Sequence, residues 1–129
     1  MASHGKLIVK TEGAYEAFPV ADAIVRIRGM DEENKDSIFT VFTDEDGITK
    51  VVTLPAPNVV NSSGPYAPKP PFYNYDVLVS KDGFYSKLVR GVSVFPNILS
   101  TLTVNMIPFV PFSDGGRYPR ENLVSESED

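Results

Sequence analysis

The sequence predicts an all-β protein, a single antiparallel β-sandwich of seven strands. Three observations point there. Short apolar segments recur in which side chains alternate between an apolar and a polar phase, the period of a strand with one buried face. Glycine, proline, asparagine and aspartate gather between those segments, as turns demand. No stretch long enough for a helix keeps apolar residues at i, i+3, i+4 and i+7 without a proline or a β-branched run. Strands joined by turns, with no helices between them, exclude a doubly wound sheet.

The elements follow in order. Residues 6–11 (KLIVKT) form the first expected strand. Residues 23–28 (AIVRIR) form the second, where Ala23, Val25 and Ile27 alternate with Arg26 and Arg28. Residues 37–43 (SIFTVFT) and 48–54 (ITKVVTL) are the third and fourth. Residues 74–80 (NYDVLVS), 87–95 (KLVRGVSVF) and 99–107 (LSTLTVNMI) complete the set. In the last, Leu102, Val104 and Met106 share one face and Thr101, Thr103 and Asn105 the other, so the first three are assigned to the core.

Between the third and fourth strands, FTDEDGIT packs three acids and a glycine into a short space. Asp46-Gly47 is a hairpin signal, because glycine tolerates positive φ and aspartate hydrogen-bonds its own backbone. A calcium loop of the EF-hand kind needs acids at alternating positions and a closing bidentate glutamate. Asp44, Glu45 and Asp46 supply only part of that set. Paired catalytic carboxylates need a cleft that shifts their pKa values, and a hairpin tip is solvated. The stretch is expected to be a turn, with no metal.

Two segments break the strand pattern. Residues 55–71, PAPNVVNSSGPYAPKPP, carry six prolines. Prolines remove backbone donors, which predicts a long loop over one end of the sandwich. After Ile107, the proline, glycine and acid content predicts an extended tail over residues 109–129. The expected layout is a flexible N-terminus over 1–4, a sandwich over 5–108 and that tail.

The bulk numbers narrow the function. A chain of 129 residues fits one domain with one core. A net charge of −5 argues against nucleic acid, which requires a clustered basic surface. No apolar stretch reaches the length of a membrane span, and no secretory signal precedes residue 6. With no cysteine, disulfides, thiolate metal sites and thiol nucleophiles are excluded. The one histidine, His4, lies near the N-terminus, so no internal histidine serves as a triad base. No catalytic residue and no cofactor is assigned.

Set together, PVADAIVRI (19–27), TDEDGIT (43–49) and YDVLVSKDGFY (75–85) resemble the carboxypeptidase regulatory-like domain. That resemblance implies a transthyretin-like, or prealbumin-like, sandwich. It rests on a small residue before the second strand, a Thr-Asp-x-x-Gly turn and a Gly-aromatic turn after a central strand. A narrower similarity runs through TLPAPN (53–58), PYAP (65–68), VRGVSVFPN (89–97) and VNMIP (104–108). These resemble the version of the domain found in Firmicutes spore cortex-lytic and peptidoglycan-binding proteins. The likeness spans about residues 5–108, with no room for a lytic domain beside it. It implies a non-catalytic structural or binding module of a spore or cell envelope, made in the cytoplasm. The competing implication is recognition of peptidoglycan or another glycan, in association with cortex-lytic machinery.

Two sharper chemistries of related sandwiches fail on this sequence. Collagen-adhesin repeats join a first-strand lysine to a last-strand asparagine with help from a buried acid. Lys6 or Lys10 and Asn105 match the pair, but Val79 stands where the acid belongs, so the proton transfers lack a catalyst. Transthyretin-fold hydrolases of hydroxyisourate need histidines and a C-terminal Tyr-Arg-Gly-Ser motif, and this chain ends in ESESED.

What remains is contact. Tyr66, Phe72 and Tyr73 lie in or beside the proline-rich loop, where tyrosines serve sugar- and peptide-binding surfaces. The alternative is that they fold back as a lid over the sandwich. Phe109 and Phe112 are expected to continue along a neighbouring strand, in the same chain or in a second copy.

Overall fold

A computed structural model describes residues 3–13, 18–58 and 71–109. Seven strands make up the described chain: β1 Ser3–Gly13, β2 Ile24–Gly29, β3 Ile38–Phe42, β4 Val52–Ala56, β5 Tyr73–Ser80, β6 Lys87–Val94 and β7 Leu99–Met106. They form two sheets, ordered β4-β1-β7 and β3-β2-β5-β6. The all-β sandwich expected from the sequence is present, and each of the seven expected strands has its counterpart.

Alternation sets the layers. From the three-stranded sheet, Leu7, Val9, Val52, Leu54, Ala56, Val104 and Met106 point inward; from the four-stranded sheet, Val25, Ile27, Val41, Tyr75, Val77, Val79 and Val94 meet them. These side chains are buried, and β-branched residues dominate them because they suit a pleated surface packed on one side. Leu102 is half-buried and packs against the cluster, while Val104 and Met106 lie within it.

Pairing departs from expectation at one place. β1 and β7 run parallel, from Lys6 opposite Leu99 to Gly13 opposite Met106. The other pairs are antiparallel. First and last strands therefore meet in the middle and at the edge of one sheet, a pairing that no turn between them dictates.

The Asp44–Gly47 turn is present, but it is not a hairpin. Its flanking strands, β3 and β4, belong to opposite sheets, so the chain arches across the end of the sandwich. Local chemistry shapes the bend. The Asp44 carboxylate accepts from the Asp46 and Ile48 backbone N–H groups at 2.8 and 3.1 Å. Gly47 takes a φ of 76°, and a Cβ there would sit 2.6 Å from the Thr11 carbonyl oxygen. Only glycine meets both demands without strain.

Three buried threonines stitch this corner. The Thr43 hydroxyl accepts from the Ala23 N–H at 2.9 Å and donates to the Val20 carbonyl at 2.7 Å. The Thr49 hydroxyl accepts from the Val9 N–H at 3.0 Å. The Thr11 hydroxyl donates to the Val20 carbonyl at 2.8 Å. Where the chain changes sheets, ladder bonds stop, and these hydroxyls satisfy backbone groups that burial would otherwise orphan. The Thr-Asp-x-x-Gly pattern thus has a physical reading at each fixed position.

Two boundaries shift. Ser3 and His4, expected in a flexible N-terminus, lie in β1 opposite Ala56 and Pro55. Pro55, assigned to the loop, ends up inside β4, which tolerates it because β4 is an edge strand with one side of its backbone unpaired. The rest of the proline-rich loop, residues 59–70, lies outside the described residues, as does the tail from residue 110.

Candidate functional site

The expected contact aromatics do not make one platform. Phe72 is half-buried and meets Phe95 with ring centroids 5.2 Å apart, tilted by 55°. Tyr73 is half-buried against the core. Both sit where β5 begins and β6 ends, since Tyr73 pairs with Val94. Phe109 instead meets Tyr85 edge-on, 5.3 Å apart at 84°. That pair lies at the opposite end of β5 and β6, beside their connection. Tyr66 and Phe112 fall outside the described residues.

After β7, residues 107–109 bond to the β5–β6 connection of the same chain rather than to a strand. Tyr85 N–H donates to the Ile107 carbonyl at 2.9 Å, and Phe109 N–H donates to the Gly83 carbonyl at 2.6 Å. Pro108 bridges Phe84 between them. The chain therefore leaves the three-stranded sheet at Met106 and crosses to cover the end of the other sheet.

Sequence reasoning missed the exposed apolar residues of the four-stranded sheet. On β3, Ile38 and Phe42 are 65% and 58% exposed, ahead of Leu99 on β7 at 55%, and Leu88 on β6 is 48% exposed. Ile38, Phe42 and Leu88 lie on the outer face of the four-stranded sheet. Cross-strand register places Phe42 beside Ile24 and Ile38 beside Arg28, with Arg26 opposite Thr40. Leu78 links that row to Leu88. The signal was available: SIFTVFT has apolar residues in both phases of its alternation, so one set had to face outward.

The polar residues near the sheet ends are committed to backbone. The Asp31 carboxylate accepts from the Asn74 N–H at 2.6 Å, and the buried Asn34 side chain links the Asp31 N–H to the Asn74 carbonyl. Beside them Tyr75 donates its hydroxyl to the Pro55 carbonyl at 2.7 Å, tying the two sheets together. Burial pushes the Tyr75 phenol up to about 12, against an opposing contribution from the Asn34 side chain. These groups hold the β2–β3 connection to β5. Among the described residues, no group of three or more histidine or acidic side chains has the geometry of a metal site.

The lysines considered for an isopeptide bond face solvent on the other sheet. Lys6 is exposed, Lys10 lies opposite Thr103, and Asn105 lies opposite Glu12. Lys10 Nζ stands 3.5 Å from a Glu12 carboxylate oxygen. Val79 is fully buried in the core, far from that face's chemistry. At the β1 start, an open groove of about 800 Å³ is lined by Ser3, His4, Lys6, Asn58, Asn97 and Leu99, among others.

No protein-family profile and no curated protein matches the chain. Solved structures do. The Bacillus anthracis TIE protein shares the fold at a TM-score of 0.55 and 16% identity, over 82% of this chain and 17% of that one. The minor pilin GBS52 of Streptococcus agalactiae aligns at 0.52 and 13%, over 91% and 50% respectively. The 3-chlorocatechol 1,2-dioxygenase of Rhodococcus opacus aligns at 0.57 and 12%, over 84% and 62%. This chain spans less than two thirds of each. The likeness establishes the β-sandwich fold. A pilin and a dioxygenase share it, so the fold alone does not choose a function.

Proposed function

We propose that the chain is a non-catalytic structural or binding module of a Firmicutes spore or cell envelope, acting by protein contact and self-association. The outer face of the four-stranded sheet carries this reading. Ile38, Phe42 and Leu88 expose apolar side chains beside Arg26 and Arg28, a composition suited to a contact surface. The Asp44 carboxylate at the turn and the Asp31 carboxylate at the β2–β3 connection already serve backbone groups. The envelope setting rests on the sequence resemblance to the Firmicutes domain; a minor pilin shares the fold, as a dioxygenase does.

The groove at the β1 start favours a second reading, recognition of peptidoglycan or another glycan. Its hydroxyl, amide and amine groups beside the apolar Ile98 and Leu99 suit an amphipathic ligand such as a sugar. Light scattering over a concentration series, with sedimentation on insoluble peptidoglycan, separates the two. The assembly reading expects a mass rising above 14.2 kDa and no saturable co-sedimentation. A chain that stays monomeric yet sediments with peptidoglycan, less so as Asn97→Ala or Phe72→Ala, overturns it in favour of the glycan.

A further inference from the structure

The edge of β3 has features that the other three sheet edges lack. β4 carries Pro55, and β6 carries Lys87, Arg90 and a register shift at Gly91, which has a φ of 72°. Charge, proline and bulges are the usual means of blunting an edge. β7 has none of these either, but its outward side chains are mostly polar, Thr101, Thr103 and Asn105, with exposed Leu99 at its start. β3, Ile38–Phe42, contains no charge, no proline and no bulge, and its outward residues are Ile38, Thr40 and Phe42. Among the described residues, no strand covers its far side.

The ladder fixes which backbone groups that side presents. Gly29 N–H donates to the Ser37 carbonyl, and Thr43 N–H donates to the Ala23 carbonyl. Odd-numbered residues of this strand therefore bond to β2. By the alternation of an antiparallel ladder, Ile38, Thr40 and Phe42 direct their N–H and C=O groups to the open side. The same three residues carry the exposed side chains.

We propose that this edge pairs with the same edge of a second copy, antiparallel, about a two-fold axis through Thr40. The inference rests on the self-association reading and names its surface. The pattern is self-complementary, as a two-fold interface requires. With Thr40 opposite Thr40 of the second copy, Ile38 falls opposite the second copy's Phe42, and Phe42 opposite its Ile38. Each of these three pairs is of the hydrogen-bonded type and exchanges two backbone bonds. β-branched–aromatic and Thr–Thr contacts are favourable cross-strand pairs. The two four-stranded sheets become one continuous sheet whose outer face joins both apolar rows. Arg26 lies one strand back from the axis in each copy, so the two backbones that carry it are about three strand spacings apart, roughly 14 Å, and the exposed side chains can extend away from each other. The interface is one short strand wide, which makes the dimer concentration-dependent rather than obligate.

The lack of cysteine in the chain allows a direct test. Thr40→Cys places one thiol at the axis, with Cα atoms about 5.5 Å apart in the dimer, a separation that a short bismaleimide spans without the close Cβ approach that a disulfide needs. Treatment of full-length Thr40→Cys with that reagent should give a covalent dimer, while Thr103→Cys on the β7 edge should stay monomeric. Phe42→Lys should require about tenfold or more higher concentration for the same dimer fraction, with unchanged circular dichroism. If wild type exceeds monomer mass but Thr40→Cys does not cross-link, the β3 edge is wrong and self-association stands. Cross-linking of Thr103→Cys instead assigns the contact to β7. Wild type that remains monomeric at every concentration overturns both.

Discussion

The outer faces of the two sheets have the same geometry and different chemistry. On the three-stranded sheet, Lys6, Lys10, Glu12, Thr53, Thr101, Thr103 and Asn105 point outward, with half-buried Ile8 and exposed Leu99 the large apolar residues among them. On the four-stranded sheet, the outward positions hold the larger apolar set, Ile24, Ile38, Phe42, Leu78 and Leu88, together with Arg26, Arg28, Thr40, Asp76 and Ser80. The inner faces show no such contrast, being apolar on both sides. Burial in one core constrains the inner sets alike, so the outer difference reports on what each face meets. Threonine and lysine suit a strand face in water. Apolar residues left outside a satisfied core mark a surface that meets another surface.

The largest effects test the shared part of that comparison. Leu7 and Ile27 lie fully buried on the inner faces of opposite sheets. Leu7→Ala and Ile27→Ala should each cost about 2–5 kcal/mol in denaturant unfolding, through lost burial and the cavity left behind. A cost at one site only would show that the inner faces differ as well. Next comes the corner joining the sheets. Thr43→Val removes a donor to Val20 and an acceptor for Ala23, both buried, and should cost about 1–3 kcal/mol. Gly47→Ala should cost a similar amount, about 1–3 kcal/mol, from the positive φ and the close Thr11 carbonyl.

A smaller effect appears at high pH. The Tyr75 phenol is raised in the folded state from 10.0 to about 12 by burial. Its contribution to stability is therefore complete below about pH 10 and declines as pH rises toward about 12, because the unfolded chain ionises first. Tyr75→Phe should flatten that decline in unfolding curves measured across this window; an unchanged slope would place the titration elsewhere. Smallest are the outer faces themselves. Ile38→Ser and Thr103→Ser should each change monomer stability by about 0.5 kcal/mol or less. Chelator should leave the melting temperature unchanged, since the Asp44 carboxylate is engaged with the turn backbone. A rise of several degrees with calcium would reassign that turn.

Much of the fold was legible in the sequence. Alternation located all seven strands, because each has one face in a single core. The turn at Asp44–Gly47 was legible too, since its carboxylate and glycine act locally. What these residues do not encode locally is whether β3 and β4 pair with each other or face each other. A tight bend serves either arrangement; Thr43 bonds to Ala23, just before β2 in its own sheet, and Thr49 bonds to Val9 on β1 of the other. The parallel β1–β7 pairing is hidden for the same reason. Proline at Pro55 suggested a loop, yet an edge strand leaves its missing donor without consequence. The aromatic site was harder. Phe72 and Phe109 look alike in sequence, but the path of the chain delivers them to opposite ends of β5 and β6. Ile38 and Phe42 were overlooked because the two apolar phases of residues 37–43 were not separated into an inner and an outer set.

The claim that the two outer faces have different roles is tested most directly by light scattering of wild type, Phe42→Lys and Thr103→Lys over one concentration series. Wild type and Thr103→Lys should rise together above 14.2 kDa, while the Phe42→Lys curve is displaced to about tenfold or more higher concentration. Equal curves for all three, or loss of association in Thr103→Lys alone, would contradict it.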